Sequence, residues 1–475
     1  MTRLVGLDVG TSSVKGIAID GDGKVLAVAE RPHELSMPRP GWSEQDPDDW
    51  WRGAAEVLEQ LDGASADGIG LTGQMHGLVT LDRAGHPLRP AILWNDGRTE
   101  AECVEIEEKV GFERLVELTG NRAQAGFTAP KLLWLRRHEP DLYSRIAHIL
   151  LPKDYVRLRL TDLHAIDVAD ASGTLLLNVA ERRWSDEMID ALEIERAWLP
   201  QVFESPEQTG TTHGGVPVAA GAGDQAAGAL GVGVVAEGGP ASVVLGTSGV
   251  VFAALDRYAH DPQARVHAFC HAVPNAWHVM GVMLSAAGSL GWLRSTVGGS
   301  YDELLTEAAA WEPGAEGLLF APYLAGERTP HADPSARGAF AGLSLRHDRG
   351  AMARSVLEGV AFGLRDALDL VEELGGRPRV GRVSGGGARS QLWLEIVASV
   401  LDLPLEMTVV DEGAAYGAAL LGGVAAGAFS DARDAVTECV RVTRVVEPRA
   451  EWVEAYAAIR ERFRGLYPAL RPLTA

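Results

Sequence analysis

The sequence predicts an α/β fold made of two related domains with a cleft between them. Short strand patterns alternate with amphipathic helical patterns along the 475 residues, which is typical of α/β domains. In addition, an apolar strand followed by Gly-Thr-Ser occurs twice, at residues 4–12 and again at residues 241–248. We therefore expect a duplicated domain, with residues 1–235 in the first copy and residues 236–475 in the second.

The first domain opens with three predicted strands, at residues 4–9, 14–20 and 24–30, joined by glycine-containing turns. Apolar residues alternate with other residues in the second run, which favours a strand over a helix. Residues 46–61 predict a helix because acidic residues fill the first turn and apolar residues follow at helical spacing. A further strand is expected at residues 68–72.

The remaining elements are predicted from apolar spacing and from flanking glycine or proline. Predicted helices lie at residues 100–118, 130–138, 155–160, 225–230, 352–374 and 391–401. Predicted strands lie at residues 241–245, 250–253 and 382–384. The second domain thus begins with the same strand, loop and returning strand as the first.

Composition limits the class of protein. Hydrophobic residues make up 46% of the chain and charged residues 23%, as in ordinary globular proteins. The formal net charge of −22 argues against a nucleic-acid-binding groove. No run reaches the roughly 18 apolar residues that a membrane span needs. Three widely spaced cysteines fit a reducing compartment, so we expect a cytoplasmic protein with no membrane partner and no nucleic-acid partner.

Both Gly-Thr-Ser loops are candidate phosphate-binding loops. A strand that breaks into glycine exposes backbone amides and hydroxyls, which together bind the oxygens of a polyphosphate. Thr11 and Ser12 lie in the first loop, and Thr247 and Ser248 lie in the second. Ordinary turns use the same residue types, but the repetition favours one nucleotide held between the two halves.

Two other glycine-rich segments have different prospects. Residues 68–73 match the spacing of a dinucleotide-binding fingerprint, but these glycines fall inside the predicted strand, so we reject that interpretation. Residues 385–388 follow a strand and precede a helix, where a flat ring or a phosphate can approach the backbone closely. A glycine-rich turn without a ligand would have the same sequence.

Asp8 ends the first strand directly before the first loop. An ionised carboxylate beside phosphates would bind Mg²⁺ directly or through water, although an Asp before Gly also caps ordinary turns. Lys15 follows Thr11 by four residues, where it would contact a phosphate or remain a solvated strand residue. The sequence leaves both pairs of alternatives open.

Asp224 is the candidate catalytic base because it lies between an apolar run and a predicted helix. Phosphorylation of an alcohol needs a group that accepts the hydroxyl proton as the oxygen attacks the γ-phosphorus, and an aspartate at such a junction is well placed. Capping of the helix N-terminus is the competing use of this residue.

Six short segments carry a family resemblance. They are GLDVGTS at residues 6–12, WSEQDP at 42–47, GQMHG at 73–77, LWNDGR at 93–98, LPKDY at 151–155 and GERTPH at 326–331. In these residues the chain resembles the FGGY family of carbohydrate kinases, and the resemblance covers essentially the whole chain. It implies the duplicated ribonuclease-H-like fold of actin-like ATPases.

The resemblance also implies roles for individual residues, each of which could instead serve packing or a turn. Asp224 would be the general base, and Asp8 would be the acid associated with the metal. Sugar contacts would come from Met75, His76, Trp94, Asp224 and Gln225. Nucleotide contacts would come from Thr11, Ser12, Thr247, Ser248, Gly386, Gly387 and Ala388, with Lys15 added on its spacing alone. Gln225 replaces an Asn found in many relatives, which concerns sugar preference more than catalysis.

The implied reaction is the phosphorylation of D-xylulose at its terminal hydroxyl, with ATP as donor and Mg²⁺ as cofactor. Rival functions are a kinase for ribulose, an arabinitol or a deoxy-xylulose, and an actin-like or chaperone-like ATPase. Turnover of ATP that is independent of sugar would indicate the ATPase. The sequence does not settle the oligomeric state, for which a homodimer is considered.

Overall fold

The structure is a computed structural model that describes residues 2–410 and 413–474. Each half of the chain builds a central seven-stranded sheet, and helices cover both sheets. Alternating strands and helices produce this layered arrangement because each sheet must bury its apolar faces. The expected α/β class is confirmed.

The first half contains fifteen strands and nine helices within the described residues. The strands are β1 Leu4–Val9, β2 Ser13–Ile19, β3 Val25–Pro32, β4 Glu44–Gln45, β5 Gly68–Gly73, β6 Val79–Leu81, β7 Ala91–Ile92, β8 His148–Leu150, β9 Ala165–Asp167, β10 Leu177–Asn178, β11 Arg183–Trp184, β12 Gln201–Phe203, β13 Gln208–Thr211, β14 Pro217–Ala219 and β15 Ala222–Gly223. The helices are α1 Pro47–Gln60, α2 Glu100–Val110, α3 Phe112–Thr119, α4 Thr128–His138, α5 Pro140–Tyr143, α6 Pro152–Thr161, α7 Val168–Ser172, α8 Asp186–Leu192 and α9 Asp224–Gly231.

The second half contributes nine strands and eight helices within the described residues. The strands are β16 Ala241–Leu245, β17 Gly249–Leu255, β18 His267–Cys270, β19 Trp277–Met283, β20 Leu319–Ala321, β21 Ala339–Ala341, β22 Gly381–Ser384, β23 Leu405–Thr408 and β24 Val442–Val446. The helices are α10 Ala287–Val297, α11 Tyr301–Ala309, α12 Arg349–Glu373, α13 Gln391–Leu401, α14 Gly413–Ala425, α15 Ala432–Cys439, α16 Ala450–Arg464 and α17 Leu466–Thr474.

The two sheets share one topology, which confirms the duplication. In the first, β1 pairs antiparallel with β2, β2 pairs antiparallel with β3, and β5 runs parallel to β1. In the second, β16 pairs antiparallel with β17, β17 pairs antiparallel with β19, and β22 runs parallel to β16. Three antiparallel strands followed by parallel strands form the ribonuclease-H-like core of actin-like ATPases.

Most predicted elements are present, and one predicted helix is divided. The helix expected at residues 100–118 is two helices, α2 and α3, separated at Gly111. Gly111 has φ 84°, a conformation that glycine adopts without the steric cost that other residues pay. The rejected dinucleotide fingerprint at residues 68–73 is the interior of β5, as expected.

Helix α14 joins the two halves, because it belongs to the second half of the chain yet packs against β1 and β5 of the first sheet. The contact is made backbone to backbone. A Cβ added at Gly6 would overlap the carbonyl oxygen of Ala415, and one added at Gly70 would overlap that of Ala418. The division of the chain at residue 235 stays a prediction, since this helix crosses it in space.

We expect Gly70→Ala to destabilise the protein by at least about 1–3 kcal/mol, because the new methyl group has no space and the backbone of α14 must move. Urea unfolding followed by circular dichroism would measure the loss. Gly214→Ala is the matched control, since an added Cβ there meets only the Thr212 hydroxyl at 3.7 Å. Equal stability of the two variants would contradict the proposed packing constraint.

Candidate active site

The first Gly-Thr-Ser loop connects β1 to β2 and is held by side chains from three other segments. The Gln45 amide donates to the Thr11 carbonyl at 2.6 Å, and the Gln74 amide donates to the Gln45 side-chain oxygen at 2.9 Å. The Thr11 hydroxyl donates to the Gln74 oxygen at 3.2 Å and accepts from the Trp94 indole at 3.0 Å. The loop is therefore fixed before any ligand arrives, and Ser12 remains exposed.

Asp8 and Lys15 are opposite each other across the antiparallel pair of β1 and β2. Residues in direct register point to the same face of a sheet, so the carboxylate and the ammonium group share the face next to the first loop. Both residues are partly buried. A cation and a carboxylate placed here suit phosphate oxygens and a metal ion, respectively.

The second Gly-Thr-Ser loop connects β16 to β17. The backbone amides of Ala286 and Ala287 donate to the carbonyls of Thr247 and Gly246, both at 2.8 Å. These contacts use the loop carbonyls and leave the side chains of Thr247 and Ser248 exposed. Their hydroxyls thus face solvent at the end of β16, as the phosphate-loop hypothesis requires.

The glycine-rich turn after β22 lies against this second loop. Gly385 has φ 92°, and a Cβ there would be 2.9 Å from the amide nitrogen of Gly246, so only glycine allows the approach. A Cβ at Gly386 would meet no atom of the described residues within 4 Å. The turn therefore offers open space directly beside the second loop.

Asp224 is the first residue of α9, immediately after β15. It borders a cavity of about 180 Å³ whose lining includes Gln225 from the same helix and Val244 and Ser384 from the second sheet. Burial raises the pKa of Asp224 to about 6, and the Gln225 amide, 3.4 Å from its carboxylate, opposes that shift. A carboxylate with this pKa is ionised at neutral pH and is a better base than an ordinary aspartate.

His76 is fixed by its neighbours in a neutral form. It has φ 68°, its Nδ1 is 2.7 Å from the Gly173 carbonyl oxygen, and its ring stacks on Phe127 with centroids 4.3 Å apart. Burial, with the nearby Lys131 and Arg328 cations, lowers its pKa to about 3. Because a carbonyl only accepts, Nδ1 carries the proton and Nε2 remains an acceptor.

Met75 precedes His76 in the chain and packs near Asp224. Its side chain is buried, and a Cβ on Gly223 would lie 2.8 Å from the Met75 Cγ, so Met75 packs beside the residue before Asp224. Contacts therefore run from the first loop through Gln74 and Met75 to Gly223, the residue before Asp224, and Asp224 shares its cavity with Ser384 beside the glycine-rich turn. The structure brings the predicted site residues into one continuous region.

Trp94 differs from the rest because it is 46% exposed. Its indole N–H donates to the Thr11 hydroxyl, while much of its ring is open to solvent. A Cβ on Gly126 would overlap the Trp94 carbonyl oxygen, so the backbone of this residue is tightly packed although the ring is not. The ring is thus available to stack on a ligand.

A buried charge cluster lies beneath the site, and the sequence analysis assigned it no role. The Lys153 ammonium is 2.6 Å from Asp154, 2.8 Å from Asp167 and 3.1 Å from Asp170, and all four side chains are fully buried. Arg157 adds a second cation, 2.7 Å from Asp154. Burial raises the pKa of Asp167 and Asp170, and Lys153 opposes that shift. The signal in the sequence was a Lys-Asp pair inside an otherwise apolar segment.

This cluster packs against the segment that leads into Asp224. A Cβ on Gly223 would lie 3.3 Å from the Asp170 Oδ1, so the carboxyl group of Asp170 packs against the residue before Asp224. Arg157 also donates to the Ala220 carbonyl at 2.8 Å, which fixes the segment before β15. The cluster therefore helps to set the position at which Asp224 leaves the sheet.

Within the described residues, no helix combines the length and the apolar character needed to cross a membrane.

Two hydroxyl-bearing loops at corresponding ends of duplicated sheets, with a desolvated carboxylate between them, define a two-lobed phosphotransferase of the actin-like fold class. Family models identify the class more closely. The N-terminal domain model of the FGGY family of carbohydrate kinases matches residues 3–231, and the C-terminal domain model matches residues 241–426.

Individual relatives agree with the family models. The chain is 42% identical to the xylulose kinase of Escherichia coli strain K12, with 99% of this chain and all of that protein covered. The crystal structure of a xyloylose kinase from Brucella ovis has a TM-score of 0.94 at 42% identity, covering 99% and 100% of the two chains. That of xylulose kinase from Rhodospirillum rubrum has a TM-score of 0.93 at 32% identity, covering 99% of both. The chain belongs to the FGGY family of carbohydrate kinases, and it is an ATP-using sugar kinase.

We expect Lys153→Met to destabilise the protein by about 3–5 kcal/mol, because three buried carboxyl groups lose their shared cation. Urea unfolding monitored by tryptophan fluorescence would measure the change. Lys109→Met is the matched control, since the Lys109 pair with Glu105 at 3.0 Å is partly exposed and contributes at most about 1 kcal/mol. A Lys153 variant as stable as this control would contradict the role given to the cluster.

Proposed function

We propose that this protein transfers the γ-phosphoryl group of ATP to the terminal hydroxyl of D-xylulose, giving D-xylulose 5-phosphate and ADP. The observation that carries the proposal is the arrangement around Asp224: this carboxylate of raised pKa follows Gly223, against which Met75 packs, and Met75 directly precedes the neutral His76. Neutral and apolar groups near a base suit an uncharged polyhydroxylated substrate. The relatives named xylulose kinases support this choice of sugar.

In the proposed reaction Asp224 accepts the proton of the attacking hydroxyl, and the oxygen forms a bond to the γ-phosphorus as the bond to ADP breaks. His76 accepts a hydrogen bond from another sugar hydroxyl through its free Nε2. Gln225 is 3.4 Å from the Asp224 carboxylate and orients it toward the substrate. Trp94 offers its exposed ring face to the sugar carbons.

The nucleotide is proposed to lie between the two loops. Thr11, Ser12 and Lys15 would contact phosphates from the first lobe, and Thr247 and Ser248 from the second. Donors fixed before the reaction stabilise developing phosphoryl charge without reorganising, and Gln45 holds the backbone of the first loop in place through the Thr11 carbonyl. The adenosine would use the open space over the turn of Gly386, Gly387 and Ala388 beside the second loop.

Mg²⁺ fits the donor chemistry of the site. Among residues 2–410 and 413–474, no group of three or more His, Cys, Asp or Glu side chains is arranged to hold a metal ion. Mg²⁺ in kinases commonly uses one or two carboxylates and takes its other ligands from phosphates and water, so the single carboxylate of Asp8 suffices. The ion would neutralise charge on the phosphates of ATP.

A cytoplasmic location is part of the proposal. Cys103, Cys270 and Cys439 are all free thiols, as expected in a reducing compartment. A homodimer stays a prediction, and sedimentation velocity of the purified chain would test it.

A panel of sugars tests the substrate. We expect D-xylulose to give the highest kcat/KM among D-xylulose, D-ribulose, D-arabinitol, 1-deoxy-D-xylulose and glycerol, measured by coupled release of ADP. Background hydrolysis of ATP without sugar is the control. A higher kcat/KM for another sugar would refute the assignment of D-xylulose, and ATP turnover unaffected by every sugar would indicate a different kind of ATPase.

Asp224→Asn should lower kcat by about 10²–10⁴-fold, because a positioned general base is lost while shape is kept. Fold and nucleotide binding should persist, as measured by circular dichroism and by titration with ADP. The isosteric amide carries no charge to desolvate, so the variant should be at least as stable as the wild type near neutral pH.

The wild type should also depend on pH in a defined direction. A base acts only when ionised, so kcat/KM for the sugar should be constant well above pH 6 and should fall as the pH drops through about 6. Activity of Asp224→Asn close to that of the wild type would refute its role. An acid limb governed by an ordinary carboxyl group would refute its desolvation.

A further inference from the structure

Arg328 is a charged residue of the second half that has no role in the proposed reaction. It lies between Glu327 and Thr329, both of which are buried and tightly bound. The Glu327 carboxylate accepts the backbone amides of Leu284 at 3.0 Å and of Arg328 at 2.8 Å. The Thr329 hydroxyl accepts from the Val282 amide at 3.0 Å and donates to the Arg265 carbonyl at 2.7 Å. The backbone that carries Arg328 is therefore fixed on both sides.

The side chain of Arg328 is directed by His267. Asn121 donates its amide hydrogens to the carbonyls of Thr119 and Ala268, so its oxygen faces His267 Nδ1, at 2.6 Å, as an acceptor. Nδ1 must then carry the proton of the ring, and Nε2 is an acceptor. Arg328 Nη1 lies 3.5 Å from that Nε2 and points its hydrogen toward it. Asn121 belongs to the first half of the chain, so this row of hydrogen-bonded side chains, Asn121–His267–Arg328, crosses from one half to the other.

His267 lies near the aromatic residues that contact His76 in the proposed sugar pocket. The His267 ring lies 6.0 Å from Phe127 and 5.6 Å from Phe269, measured between centroids. His76 stacks on the same Phe127 at 4.3 Å and lies 6.3 Å from the same Phe269. Arg328 and His76, from opposite halves of the chain, thus border one aromatic cluster.

The guanidinium group of Arg328 has more hydrogen-bond donors than it uses in the described residues. It carries five N–H hydrogens, and the contact with His267 is the one hydrogen bond it makes within residues 2–410 and 413–474. The residue is partly buried, so water compensates incompletely for the unused donors. A planar fork of donors in a half-enclosed position suits a ligand rich in oxygen.

Arg328 is placed at the histidine end of the pocket rather than at the base end. Its positive charge contributes to lowering the pKa of His76, after burial and Lys131. Asp224 borders the cavity lined by Gln225, Val244 and Ser384, and Arg328 is not among the described residues that line it. The hydroxyl that is phosphorylated must lie at Asp224, so Arg328 faces the opposite end of the substrate.

We propose that Arg328 is a specificity-determining residue that donates a hydrogen bond to the C1 hydroxyl oxygen of the ketose, at the end of the sugar farthest from Asp224. This inference rests on the proposed function, since it assigns the orientation of the same substrate. It explains why the guanidinium is held by an uncharged histidine: an acidic partner would occupy the fork and remove its donors from the ligand. His267 and Asn121 are positioning residues for it.

Comparison of two ketoses in two enzymes tests the proposal. D-xylulose and 1-deoxy-D-xylulose differ only in the C1 hydroxyl, so their ratio of kcat/KM reports contacts to that group. In Arg328→Gln we expect kcat/KM for D-xylulose to fall about 10- to 100-fold, chiefly through KM, while that for the deoxy sugar falls much less. Arg328→Lys should recover part of the loss, because it keeps the charge but not the fork.

Several controls keep the outcome decisive. Titration with ADP should give wild-type affinity in each variant, and Arg337→Gln, at an exposed arginine of the same loop that contacts only carbonyls, should keep wild-type kinetics with both sugars. An equal fall for both sugars, or a fall in kcat with unchanged KM, would overturn the proposal and place Arg328 at the phosphoryl group. Should Arg328→Gln fail to fold, Arg328→Lys carries the same comparison. Failure of the wild type to phosphorylate D-xylulose would refute the proposed function instead.

Discussion

The close packing of α14 on the first sheet is the constraint on which the rest of the structure depends. The helix belongs to the second half of the chain, yet its backbone lies against β1 and β5 with glycine at Gly6 and Gly70. It also lies against α9, where a Cβ on Gly417 would overlap the Ala227 carbonyl oxygen. Because α9 begins with Asp224, the same helix pair that joins the two halves also positions this carboxylate, the proposed base.

The electrostatics of the site depend on which buried groups are paired with an opposite charge and which are not. Lys153, Arg157 and the three aspartates are fully buried and paired with one another, and burial favours the neutral forms of Asp167 and Asp170, so the cluster fixes structure without offering charge to a ligand. Within residues 2–410 and 413–474 no cation contributes to the pKa of Asp224, and desolvation raises it to about 6. Burial lowers the pKa of His76 and of His267, and the positive charge of Arg328 lowers both further, so the two rings are neutral and act as hydrogen-bonding groups rather than as charges.

Local sequence patterns predicted most of the fold. The first three strands, the helix at residues 46–61 and the second strand–loop–strand unit are encoded by alternation, caps and glycine, which act between near neighbours. The split between α2 and α3 was missed because a single glycine in a long amphipathic run does not reveal its φ angle. Lys153 and Arg328 lay within motifs that supported the family resemblance, but their partners come from distant segments, so no local pattern could assign them a role.

The sequence by itself determined the α/β class, the duplication, the two hydroxyl-bearing loops and the family, because each is carried by short runs of residues that can be recognised without knowing their partners in space. Tertiary structure alone decided which distant residues meet: Trp94 and Gln74 on the Thr11 hydroxyl, Met75 against Gly223, and Arg328 against His267. Such contacts join segments far apart in the chain. The geometry of these contacts arises only when each half folds, and the desolvation that raises the pKa of Asp224 occurs where residues of both halves line one cavity with it.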